Sequence, residues 1–110
     1  MYRLSLIINE IYNKYLPLAK EAGITLNLDF PDPTQKVSNP EKIKKALDNH
    51  LGSAVKRTPK GEISISVHKD KIVIRDTGTI LSKPVIALMS SEHVSVKSRV
   101  GFGTTITITF

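Results

Sequence analysis

Two hydrophobic periods take turns along this chain. Leu4, Ile7, Ile8, Ile11 and Tyr15 recur at three- and four-residue spacing, which predicts an amphipathic helix from Tyr2 to about Ala22. Pro17 is expected to bend or interrupt that helix, and Gly23 is placed to cap its C-terminus. From Ile24 to Phe30 apolar and polar residues alternate, the period of a strand. Pro31-Asp32-Pro33 closes the strand, and a polar loop is expected up to Asn39. Asn39-Pro40-Glu41 reads as a helix start: asparagine can accept from unpaired backbone N–H groups, proline suits the first helical position, and the carboxylate complements the helix dipole. Ile43, Leu47, Leu51 and Ala54 form the apolar stripe of a helix running to about Arg57, and Thr58-Pro59-Lys60-Gly61 ends it.

Strand periodicity then returns. Ile63, Ile65 and Val67 alternate with Glu62, Ser64 and Ser66, and a tight turn at Lys69-Asp70 leads into Lys71 to Arg75, so the pair predicts a hairpin. A loop from Asp76 to Lys83 precedes a short apolar helix starting near Pro84. Val94 and Val96, then Thr104 to Phe110, supply two more strands around Arg99-Val100-Gly101-Phe102-Gly103. Helix, strand, helix, hairpin, short helix, hairpin is the order of an α+β fold. The expected architecture is a two-layer sandwich with helices on one face of a mixed, mostly antiparallel sheet. Ile43, Leu47, Leu51, Ile63, Ile65, Ile74, Val96 and Ile106 are its expected core. With 110 residues, no internal repeat and no linker, residues 1–110 read as a single domain.

Composition narrows the function classes. The chain has no cysteine, which excludes disulfides, thiolate metal sites and cysteine nucleophiles and fits a cytoplasmic setting. No apolar run approaches the roughly 20 residues that span a bilayer, so membrane insertion is not expected. The net charge is +6, with Lys42, Lys44, Lys45, Lys56, Arg57 and Lys60 crowded into one segment. Aromatics make up only 5% and do not interleave with the basic residues, which argues against nucleic acid as the partner. His50, His68 and His93 lack metal-site spacing, and neither a nucleophile elbow nor a Walker-type phosphate loop is present.

Three segments in sequence carry more information than any one of them. Asn49-His50-Leu51-Gly52-Ser53-Ala54-Val55-Lys56-Arg57-Thr58-Pro59-Lys60-Gly61 resembles the asparagine-box helix of histidine-kinase-type (GHKL) ATPases. Asp76-Thr77-Gly78, after an apolar strand, resembles that family's first glycine box. Val94 to Ile106 resembles its closing hairpin, and the opening helix, first strand and Asn39-Pro40 helix start follow the family's order. The resemblance implies the ATP-binding domain of a sensor histidine kinase. It implies that Asn49 is the magnesium ligand, a neutral oxygen donor suited to a hard cation. It implies that Lys56, two helical turns on, meets phosphate. Asp76 would accept from the adenine amine, Gly78 would let backbone approach the base, and Thr104 or Thr105 would support the same contact. ATP and Mg2+ are the implied cofactors.

The departures from that pattern are equally specific. Ser53 stands in place of the second box asparagine, and Ile80 in place of the first glycine box's second glycine. Only Thr79 to His93 occupy the span where the family has a flexible lid and a second glycine-rich box, so the phosphate cradle is missing. No histidine lies on the opening helix to act as phosphoacceptor. The sequence therefore predicts a reduced ATP-binding domain of bacterial signal transduction, with weak nucleotide binding and no kinase activity in isolation. Its expected partners are a kinase dimerisation segment or a response regulator. The alternative is a non-catalytic interaction module of the same fold, contacting a kinase, a response regulator or another regulator.

Overall fold

The structure is a computed structural model that describes residues 1–58, 60–78 and 81–110. Along the chain these form β1 (Tyr2–Arg3), α1 (Leu4–Glu21), β2 (Ile24–Asp29), β3 (Lys36–Val37), α2 (Pro40–Arg57), β4 (Gly61–Val67), β5 (Lys71–Asp76), α3 (Lys83–Met89), β6 (Val94–Arg99) and β7 (Gly103–Thr109). The main sheet has the order β2-β4-β5-β7-β6, and β1 pairs with β3 in a separate two-stranded sheet. β2 runs parallel to β4, whereas β4, β5, β7 and β6 pair antiparallel. The sheet is therefore mixed and mostly antiparallel, as the element order predicted.

Strand period and register together make one face of this sheet apolar. Leu28, Ile65, Ile74, Ile106 and Val96 align across the five strands in one row. Leu26, Ile63, Asp76, Thr104 and Ser98 form the next row. The opposite parity carries Ser64, Arg75, Thr105 and Lys97. Leu4, Ile7, Ile8 and Ile11 of α1 and Ile43, Leu47, Leu51 and Ala54 of α2 join the apolar strand residues in one cluster. All eight expected core residues are buried. Each fully buried Leu or Ile contributes about 1.5–3 kcal/mol relative to exposure, so this stripe-on-face match specifies the sandwich.

Four local expectations are corrected. The opening helix starts at Leu4, because Tyr2 and Arg3 pair with Val37 and Lys36. The loop before Asn39 accordingly contains a strand. α1 continues through Pro17 without interruption. Pro17 is exposed near the helix end, where water can satisfy the carbonyl it deprives of a donor. Asn39 makes no side-chain cap; its backbone carbonyl instead accepts from Ile43 N–H at 3.4 Å. Gly23 sits one residue past the end of α1's C-cap with φ +74, and its N–H bonds the Lys20 carbonyl, as a glycine stop requires.

Candidate functional site

The last turns of α2 and the end of β5 meet at one end of the sandwich. Asn49, Ser53 and Lys56 follow one another at four- and three-residue spacing and line a cavity of about 480 Å³ together with Arg57. Tyr15, Asp48 and Gly52 complete its wall. The Tyr15 hydroxyl donates to Asp48 Oδ1 at 2.6 Å and reaches over Gly52. A Cβ at Gly52 would stand 2.7 Å from that hydroxyl, so the glycine makes room for the α1–α2 crossing. Tyr15, and after it the Lys14 ammonium, hold the Asp48 carboxyl below the usual carboxylate range. Burial first, and then the Asp48 bond, raise Tyr15 above its ordinary value, which keeps it a donor.

Asp76 continues the inward parity of Ile72 and Ile74 and is fully buried. Its Oδ2 accepts from Arg57 Nη2 at 2.8 Å, and its Oδ1 accepts from the Gly78 N–H at 3.0 Å. Arg57 also donates through Nη1 to Ser53 Oγ at 2.8 Å. Arg57 therefore ties the cavity on α2 to the carboxylate under it. The residue lies four positions after Ser53 in the last turn of α2, where a cation also complements the helix dipole. That spacing is the signal in the sequence for its role.

Close backbone packing completes the site. A Cβ at Gly78 would lie 2.7 Å from Thr58 Oγ1 and 3.0 Å from Thr58 Cα. At Gly103, where φ is +80, a Cβ would collide with the Asp76 carbonyl oxygen. Thr104 pairs with Asp76 across the sheet on the buried face, and its hydroxyl is 3.0 Å from Ser98 Oγ. Ser98 Oγ in turn accepts from the Leu81 N–H at 2.9 Å. Thr105 has the opposite parity, so of the two threonines the structure brings Thr104 to the Asp76 face. Thr79 and Ile80 lie outside the described residues, and with them the expected crowding by Ile80.

The described side chains offer a cation and a phosphate few unengaged groups. Asn49 is exposed and makes no side-chain hydrogen bond among the described residues, so its amide oxygen is available to a cation. Lys56 is likewise exposed, without an ion pair among them. Among the described residues no group of three or more His, Asp or Glu side chains assembles a metal site. Asp76 has no exposed surface and both its oxygens are engaged. Where a lid and second glycine box would lie, the chain has α3, seven residues with none buried.

No protein-family model matches the chain. Over 90 residues, covering 74% of this chain, it is 29% identical to the "Non-motile and phage-resistance protein" of Caulobacter vibrioides, and it spans 11% of that protein's length. The catalytic domain of histidine kinase ThkA superposes with a TM-score of 0.74 at 14% identity, covering 98% of this chain and 94% of that one. ThkA in complex with the response regulator TrrA gives 0.74 at 15% identity, over 97% of this chain and 40% of that one. Full-length ShkA in complex with AMPPNP gives 0.71 at 18% identity, over 96% and 30% respectively. Strand order, helix placement and these superpositions establish that the chain has the GHKL fold of histidine kinase catalytic domains.

Proposed function

We propose that the chain is a reduced ATP-binding domain of sensor-histidine-kinase type in bacterial signal transduction, binding nucleotide weakly and lacking kinase activity in isolation. The observation that carries this reading is the sealed Asp76. A base amine reaches that carboxylate only by displacing Arg57, which is itself largely buried in the ion pair. Breaking a buried pair leaves an uncompensated charge and costs about 3–5 kcal/mol, more than one new hydrogen bond to a base returns. At the other end Ser53 is engaged by Arg57, which leaves Asn49 and Lys56 as the groups free to meet Mg2+ and phosphate. A cytoplasmic location, with a kinase dimerisation segment or a response regulator as partner, belongs to the same reading. ThkA's complex with TrrA supports it.

The test is a titration of the chain with ATP and with AMP, each with and without Mg2+, followed by calorimetry and amide chemical shifts. The expected result is binding in the millimolar range or weaker, on the order of 4 kcal/mol, with little preference between the nucleotides. Tight, magnesium-dependent preference for ATP overturns the reading.

A second reading, a non-catalytic interaction module of the same fold, is favoured by exposed apolar side chains. α3 buries no residue, and Leu88 is 85% exposed. Val100 and Phe102, at the β6–β7 turn, are 85% and 72% exposed. Loss of partner binding in a Leu88→Ser or Phe102→Ser variant, with nucleotide behaviour unchanged, would separate this reading from the first.

A further inference from the structure

Two of the basic residues of α2 have carboxylate partners. Arg57 pairs with Asp76 and Lys44 with Glu10. At the opposite end of α2, about 21 Å along its axis from Lys56 to Lys42, the structure has a second cleft of about 700 Å³. Its floor is apolar: Val37, Ile43 and Ile108 are buried, and Val94 and Phe110 are half-buried. Its rim carries Lys36, Lys42, Lys69 and His93, all exposed. No carboxylate side chain is among the lining residues. The three lysines make no ion pair among the described residues, and His93 has only Glu92 at 3.9 Å.

We infer that this cleft is a docking site for an acidic, amphipathic peptide segment: an apolar anchor on the floor, flanked by carboxylates that meet the lysines. Charge complementarity selects the sign of the partner, since three lysines of one sign ring a low-dielectric floor. The floor selects a peptide over nucleic acid, because it is mainly aliphatic and offers no row of aromatic faces for stacking bases. The volume suits a few side chains. β3, which borders the cleft, pairs only with β1 in the described sheets, a feature that extended peptides exploit, whereas Val94 of β6 already exchanges backbone hydrogen bonds with Ser91. None of this draws on Asp76 or Arg57, so the inference stands or falls apart from the nucleotide reading.

The probe is an acetylated and amidated peptide in which one Phe and one Leu are set among Asp and Glu residues. It is titrated into the whole chain at low salt and read by amide shifts and fluorescence anisotropy. The expected result is saturable binding at about 10–100 μM, with shifts concentrated at Val94, Ile108 and Phe110. A Lys36→Glu/Lys42→Glu/Lys69→Glu variant, all exposed positions, keeps the dispersed spectrum and binds at least about tenfold more weakly. Replacing the peptide's Phe and Leu by Ser weakens binding by about tenfold or more as well. Several outcomes overturn the inference: no binding at millimolar peptide, equal binding of the Ser peptide, or shifts centred on Asn49 to Arg57. Equal affinity of a single-stranded oligonucleotide of the same charge for the same residues also overturns it.

Discussion

Gly103 and Gly101 share a left-handed backbone but differ in what surrounds them. Gly101, at φ +84, has nothing within 4 Å of a built Cβ, whereas at Gly103 the Asp76 backbone is in the way. Gly101→Ala is therefore expected to cost only the conformational penalty, about 1–2 kcal/mol. Gly103→Ala adds a backbone collision and is expected to cost at least about 3 kcal/mol, with both read from urea midpoints. Arg57 presents a different residue-scale case. Arg57→Ala leaves the fully buried Asp76 without its cation and is expected to destabilise by about 3–5 kcal/mol. Adding Asp76→Asn should recover part of that loss, because the uncompensated charge is gone. No recovery in the double variant would mean that Arg57 acts by packing rather than by charge. The sequence showed each of these residue types, but not that Arg57 and Asp76, 19 positions apart, would pair.

At the scale of elements, α1 and α2 are joined by polar contacts above the core. Asp48 of α2 takes both the Tyr15 hydroxyl and, at 2.9 Å, Lys14 of α1. Gly52 lies against the hydroxyl end of the Tyr15 side chain. Inside a helix, Gly52→Ala gains about 1 kcal/mol of intrinsic propensity, but the new methyl pushes Tyr15 off Asp48. The two effects nearly offset, so the single variant is expected to change stability by less than about 1 kcal/mol. Tyr15→Phe alone loses one hydrogen bond, about 0.5–1.5 kcal/mol. Combined, the two should be less damaging than their sum by at least about 0.5 kcal/mol in a double-mutant cycle. Strict additivity would show that the helices cross without this contact. The helices themselves were legible from their stripes, since burial of one face follows directly from three- and four-residue spacing. β1 and β3 were not, because two-residue strands carry no period and exist only through each other.

For the molecule as a whole, acid stability turns on His50. It is buried, its Nδ1 has no partner among the described residues, and burial first and Arg57 second push its pKa below the usual 6.5. Between that depressed value and 6.5 the unfolded chain binds more protons than the folded one, so stability falls as pH drops through this window. His50→Leu is expected to remove that dependence and to raise the urea midpoint at about pH 5.5 relative to the parent. An unchanged slope between about pH 7.5 and 5.5 would rule out His50 as its source. Asp48, whose pKa is depressed below 3.8, contributes stability that is lost as pH falls from there through its depressed value, whereas the His50 window opens at 6.5.

The sequence by itself determined the layer order, the buried face of each long element and the hairpin pairing. Those follow from local period and turn chemistry, which a single chain displays without reference to distant residues. Tertiary structure alone decided which side chains meet. Register put Thr104 rather than Thr105 beside Asp76, and the crossing of α2 over β5 brought Arg57 onto a carboxylate already held by Gly78. It also paired Arg57 at one end of α2 while leaving Lys36, Lys42 and Lys69 at the other without an ion pair among the described residues. Charges attract through space rather than along the sequence, so their partners are fixed only once strands and helices have been packed together.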